Sequence, residues 1–140
     1  MNRISAIAML TTLASVATCT GAIAQESQLK ANIPFDFTVG DTWMPAGEYT
    51  ISTPMRLVLE LRSSGHVASV VTLESHNESN SGGKLVFDKY GDQYFLHEVL
   101  CPSVHSLNLD ITASKAEKKA RERAIEAKLP KGEQTMVAAR

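Results

Sequence analysis

His97, Cys101 and His105 stand four residues apart, and imidazole nitrogen with thiolate sulfur is a donor set that holds zinc or copper. Four residues of extended strand separate two side chains by about 13 Å, far beyond the reach of one ion whose bonds are about 2 Å long. The three donors meet only if the chain reverses at Pro102 and folds His105 back. The plainer reading makes the histidines strand residues beside a loop and Cys101 a packed small hydrophobe. No metal is expected on this spacing.

Other chemistry is sparser. Ser64, Gly65 and His66 place a hydroxyl near an imidazole, but no Gly-x-Ser-x-Gly turn, orienting acid or oxyanion site accompanies them, and a hairpin turn explains them better. The carboxylates Asp36, Asp41, Glu60 and Asp88 fall on the wet positions of strands, where solubility is reason enough. A glycoside hydrolase needs two carboxylates facing each other in a cleft, which spacing alone does not establish. The glycines are isolated or in turns, so there is no phosphate loop, and no motif calls for a cofactor. Asn77-Glu78-Ser79 fits a glycosylation acceptor only in a eukaryotic protein.

The remaining candidate is Trp43, between Asp41 and Met44 in a loop closed by Pro45. An exposed indole there stacks on a sugar ring or a partner; alternatively it folds down and plugs a barrel end. Asp41, Trp43 and Met44 form the candidate contact surface.

Several elements must position these residues. Residues 1–24 read as a secretory signal, with Arg3 ahead of an apolar stretch and Ala22-Ile23-Ala24 as a small-x-small cleavage site before Gln25. An N-terminal anchor is disfavoured because Ser5, Thr11, Thr12, Ser15 and Thr18 dilute the stretch below the roughly 20 apolar residues of a span. Lipidation at Cys19 is disfavoured by the Thr18 before it. Export removes Cys19, leaves Cys101 as the sole thiol and excludes an internal disulfide. The expected location is periplasmic or secreted, with no transmembrane segment in the mature chain.

The formal net charge of -1 gives no basic excess that would call for nucleic acid. Length allows one domain with appendages: a β-domain over 25–112, a helix over 113–129 and a flexible tail over 130–140.

Within the β-domain, Leu29, Ala31, Ile33, Phe35, Phe37 and Val39 alternate with polar residues, so one face of a strand is dry. A Gly/Pro-punctuated loop and a second run containing Tyr49 and Ile51 complete a hairpin-like unit. The alternation continues through Leu57, Leu59 and Leu61, turns at Ser63-Ser64-Gly65, and resumes with Val67, Ser69, Val71 and Leu73. Residues 74–83 have the composition of a solvated, mobile loop. Strands over 84–90 and 93–100 are apolar on both faces, as covered strands are. A last strand, over 105–111, follows Pro102. About seven antiparallel strands in a meander must curl into a small barrel or a barrel-like sandwich to dry their apolar face.

Ser114-Lys115-Ala116-Glu117 is a capping box opening a helix that Pro130 stops. Its apolar stripe is thin: Ala116, Ala120, Ala124, Ala127 and Leu129, with Glu117 to Arg121 an i,i+4 pair on the wet side.

Phe37-Thr38-Val39-Gly40, Pro45-Ala46-Gly47-Glu48-Tyr49-Thr50, Lys84-Leu85-Val86-Phe87 with Tyr90-Gly91-Asp92 and Tyr94-Phe95-Leu96, and the Ser114-Lys115-Ala116-Glu117 helix start together carry a resemblance. On them the mature chain resembles a family of small secreted, mostly β proteins frequent in soil acidobacteria. The resemblance implies export and a β-fold with a short charged C-terminal helix; it implies no activity and no site residue. Cys101-Pro102 departs from that family's pattern, where an aromatic or small polar stretch is expected.

The expected function is that of a non-enzymatic exported β-domain, a binding or envelope-associated structural module with a protein or envelope partner, monomeric or weakly oligomeric. The alternatives are a carrier of a small apolar ligand inside the barrel and a hydrolase of envelope or plant polymers. The first alternative needs a cavity; the second needs carboxylates, or a histidine and a carboxylate, converging in one cleft.

Overall fold

The computed structural model describes residues 28–77, 82–101, 108–130 and 132–140. The signal reading over 1–24, Cys19, Pro102 and His105 lie outside the described residues.

The protein is mainly β, one sheet nearly closed into a barrel, with a single helix among the described residues, close before the last strand. β1 (Leu29–Ile33) pairs antiparallel with β4 (Gly47–Met55) from Leu29 opposite Ile51 to Ile33 opposite Gly47, the hairpin-like unit read from the sequence. Between them the chain does not form one long first strand. It bends at Pro34, Phe35 and Asp36, where Asp36 Oδ1 accepts a hydrogen bond from the Ala46 N–H at 2.8 Å, and makes a small hairpin of β2 (Phe37–Val39) and β3 (Thr42–Met44).

β5 (Val58–Ser63) and β6 (His66–Val71) continue from β4 as antiparallel neighbours. The turn expected at Ser63-Ser64-Gly65 forms as a two-residue loop, Ser64-Gly65, closed by the Ser63–His66 pair, and that turn fixes the phase of β6. Leu61 faces Ala68 and Leu59 faces Val70, and cross-strand partners share a face, so Ala68 and Val70 point inward with the leucines. The Val67, Val71 and Leu73 side chains are exposed, opposite to the core face that their alternation suggests. After β7 (Leu73–Glu74), β8 (Gly83–Tyr90) and β9 (Gln93–Leu100) form the second long hairpin, and β10 (Leu109–Asp110) adds to β9 and β7.

The largest departure from the sequence reading is the tail. Residues expected to be flexible form β11 (Glu133–Ala139), which pairs along β8 from Glu133 opposite Lys89 to Ala139 opposite Gly83 and meets β1 on its other side. The sheet order is therefore β3-β2-β9-β8-β11-β1-β4-β5-β6, and β2 runs parallel to β9, so the local hairpins are not strung into one plain meander. Gly83 permits the close approach: a Cβ there would stand 3.0 Å from the Ala139 oxygen and 3.1 Å from Leu29 Cδ2.

Inside, aromatic rings fill the barrel. Phe37 packs edge-on against Tyr49 at 5.2 Å and Phe87 at 5.3 Å, and Phe35 against Phe87 at 5.1 Å. Such pairs add about 0.5–1.5 kcal/mol each beyond their area burial. Ile33, Leu59, Leu61, Leu85, Leu96 and Val99 complete the core around them.

The outer face of β8 and β9 carries a second layer. Register shifts between Val86 and Phe87, because Val86 faces Glu98 while Phe87 faces Leu96; His97 is the extra residue of a bulge. The bulge lets Leu96 and Val99 point into the core while Phe95 and Glu98 are buried on the outside. Over this outer face lies α1 (Lys115–Glu126), whose buried residues are Glu117, Ala120 and Ala124. Ala116 and Ile125 are exposed, so the buried stripe is rotated toward Glu117 from the one drawn through the alanines.

Both ends of α1 are capped. The Ser114 hydroxyl accepts from the Glu117 N–H at 3.2 Å, but the Glu117 carboxylate is turned onto the sheet rather than back to the cap, so half of the capping box forms. At the other end the Lys128 N–H donates to Ile125 and the Leu129 N–H to Ala124, each at 3.0 Å, with Lys128 at φ 53°. This is a Schellman termination with lysine in the left-handed position usually given to glycine. It ends the helix before Pro130 is reached.

Candidate functional site

Where α1 leaves the sheet, a groove of about 600 Å³ opens between the helix and the outer face of β8 and β11. Asp88 and Tyr90 come to it from β8, Gln134 from β11, and Arg121, Ala124 and Ile125 from α1; Leu129, Pro130 and Gly132 close its end. Gly132 sits against the Tyr90 ring, where a Cβ would come within 3.1 Å of Cε1. That spacing lets the chain pass under Tyr90 into β11.

The polar side chains interlock. The Tyr90 hydroxyl accepts from Arg121 Nε at 3.2 Å and Nη2 at 3.1 Å and donates toward Glu117 Oε1 at 3.5 Å. Arg121 Nη2 also lies 3.6 Å from Glu117, and its guanidinium stands 5.5 Å from the Tyr90 ring centre. Asp88 accepts from Gln134 at 3.3 Å and faces His97 Nδ1 at 3.6 Å; the same imidazole nitrogen is 3.9 Å from Asp110. The bulge at His97 is what aims the ring at both acids.

Burial raises the Glu117 pKa above the ordinary carboxylate value, and the Asp88 charge raises it further; Arg121, His97 and the Tyr90 hydrogen bond oppose the shift without cancelling it. Burial likewise raises the Tyr90 pKa, against the hydrogen bond from Arg121. Arg121 is held more firmly protonated by Tyr90. The expected wet-side pair of Glu117 and Arg121 is thus half buried, its acid beneath the helix and its base at the groove.

The residues singled out in the sequence fall elsewhere. Trp43 is 58% exposed on β3, so it does not plug the barrel, and Asp41 is exposed in the turn before it. Met44 is buried in the core opposite Phe37 and is not part of a contact surface: neighbours on a strand face opposite ways. His66 is exposed at its hairpin turn. Asp88 leaves the scattered wet carboxylates and joins the cluster. Among the described residues no group of three or more His, Cys, Asp and Glu side chains is placed to hold a metal ion, and Cys101 is partly buried at the end of β9.

Residues 75–77, expected in a mobile loop, are tied to the sheet. Ser75 Oγ and Asn77 Nδ2 both donate to the buried Glu98 carboxylate, Asn77 at 3.0 Å. The Ser75 N–H donates to the Asn108 oxygen at 2.7 Å, and Asn108 Nδ2 donates to the Asn77 oxygen. Donors converging on one carboxylate satisfy a charge that burial would otherwise penalise.

The groove was missed because its parts are distant in sequence. Its legible signals were Tyr90 beside a hairpin turn and Arg121 four residues after Glu117.

The protein is thus a mainly β, nearly closed barrel with a groove between α1 and the outer face of β8 and β11. Among the described residues no helix is long and apolar enough to cross a membrane. Compared with protein-family models, curated proteins and solved structures, the chain matches none.

Proposed function

We propose that this protein is an exported, non-enzymatic binding module that works in the periplasm or outside the cell, with the barrel as its frame and the α1 groove as its contact site. One observation carries the reading: aromatic rings fill the barrel, while about 600 Å³ stands open on its outer face. That volume falls in the range of about 300–1,000 Å³ typical of ligand pockets, and the mix of an apolar wall with a few polar groups is typical as well. The same packing argues against a carrier that encloses its ligand.

Export is supported by the signal pattern of residues 1–24, and N-terminal sequencing of the protein from cell fractions should begin at Gln25. The site is tested by amide chemical-shift mapping against small amphiphiles and envelope polymers. Shifts at Asp88, Tyr90, Arg121, Ile125 and Gln134 are expected. Shifts centred on Phe37, Tyr49 and Phe87 would instead place the ligand inside the barrel and overturn the reading.

One observation favours the hydrolase: Asp88 and His97 converge beside the groove. Against it, Asp88 is the one carboxylate in the groove lining among the described residues, and it is engaged by Gln134. Turnover of an envelope polymer that Asp88→Asn abolishes would decide for the enzyme.

A further inference from the structure

The charges in the groove are not equally available. The Asp88 side chain is 13% exposed, with one oxygen accepting from Gln134 and the other facing His97. The Arg121 side chain is 50% exposed. Its Nε and Nη2 are used by Tyr90 and Glu117, which leaves Nη1 and its two N–H groups outside these contacts. The accessible charge is therefore the cation.

Next to it the helix wall is apolar. Ala124 lies one turn on from Arg121, Ile125 is 68% exposed, and the Schellman turn at Lys128 swings Leu129 back along the same groove. A cationic fork at one end of an apolar trough matches an amphiphile with an anionic head, since guanidinium and carboxylate are complementary planar groups and exposed isoleucine and leucine gain by being covered.

From this the geometry points to an alkyl carboxylate as the ligand of the groove, its head on Arg121 and its chain along Ala124, Ile125 and Leu129. The assignment rests on the binding-module reading above and adds the ligand class. Tyr90 holds the guanidinium in place through two hydrogen bonds, so the head-group site is preorganised.

The test is calorimetric titration of the purified protein with sodium octanoate below its micelle concentration, alongside octylamine and octanol of equal chain length, with amide shifts read in parallel. Octanoate is expected to bind saturably with one site and at least tenfold more tightly than the amine or the alcohol. Arg121→Gln should weaken it tenfold or more. Far-UV circular dichroism of that variant separates loss of helix from loss of binding. Ile125→Asp alters an exposed side chain and should weaken octanoate to a similar degree.

Equal binding of all three amphiphiles in the groove, or no effect of Arg121→Gln, would overturn the carboxylate assignment and leave the groove as the binding site. Tighter binding of an acetylated dipeptide ending in leucine would overturn the free alkyl acid in favour of a peptide terminus. No shift at the groove with any probe would overturn the ligand assignment and remove the support for the site itself.

Discussion

Lys30 and Arg140 exchange two backbone hydrogen bonds, the Lys30 N–H to the Arg140 oxygen at 2.7 Å and the Arg140 N–H to the Lys30 oxygen at 2.9 Å. The pair extends the ladder in which β11 joins β1 to β8. β11 is thus an interior strand of the sheet, with a neighbour on each side.

Removal of residues 132–140 is accordingly expected to abolish cooperative thermal unfolding, where loss of a frayed end would leave the transition unchanged. Val137→Pro tests the same point with one residue. Proline has no N–H for the ladder, so a cost of roughly 2–4 kcal/mol is expected in urea denaturation.

Trp43 and Met44 are adjacent and should behave oppositely. Met44→Ala empties a core position and is expected to cost about 2–5 kcal/mol. Trp43→Ala removes an exposed ring and should change stability by no more than about 0.5 kcal/mol. Circular dichroism is the appropriate readout, because Trp43 is the sole tryptophan. A large loss from Trp43→Ala would show that the indole is packed.

Lys128 holds a left-handed conformation with its side chain exposed. Lys128→Gly relieves the Cβ clash of that conformation and should stabilise α1 by about 1 kcal/mol. A rise in the urea midpoint without change in slope is the expected result; a fall would mean that the lysine side chain matters more than the backbone.

Glu117 supplies a pH dependence whose sign follows from its raised pKa. The neutral form is favoured in the folded state, so this group's contribution is fully present below the unfolded carboxylate value and is lost as pH rises through the higher folded value. Stability from this group should therefore decline as pH rises above the ordinary glutamate range, with Asp88 deepening the decline and Arg121 and His97 limiting it. Glu117→Gln stays neutral and should flatten that part of the profile, measured as urea midpoints across about pH 4 to 8. An unchanged slope in the variant would contradict a carboxylate whose charged form is disfavoured by burial.

Much of the frame was legible in the sequence. The pairing of the runs ending at Ile33 and Ile51, the turn between Ser63 and His66, the turn between Tyr90 and Gln93 and the Ser114 cap all rest on local chemistry, and the structure has each, although the expected first strand over 29–39 breaks at Pro34. What escaped depends on neighbours far along the chain. Thr135, Val137 and Ala139 alternate inward, but the run is short, small and flanked by charge, so only the edges of β8 and β1 reveal it as a strand. The phase of β6 was set by its partner's leucines rather than by its own valines. The bulge at His97 turned a two-faced apolar run into two layers and placed Asp88, His97 and Glu117 together.

The position of β11 also governs when the barrel can exist. During synthesis β8 and β1 emerge long before the strand that joins them, so both carry an open edge while the rest of the chain is made. Closure must wait for β11, and it depends on pairing between β1 and β11, segments far apart in sequence, which is slow because they must find each other first. Until then the exposed edges invite pairing with other chains. A nascent copy of this protein thus needs the edges of β1 and β8 shielded until β11 has been made.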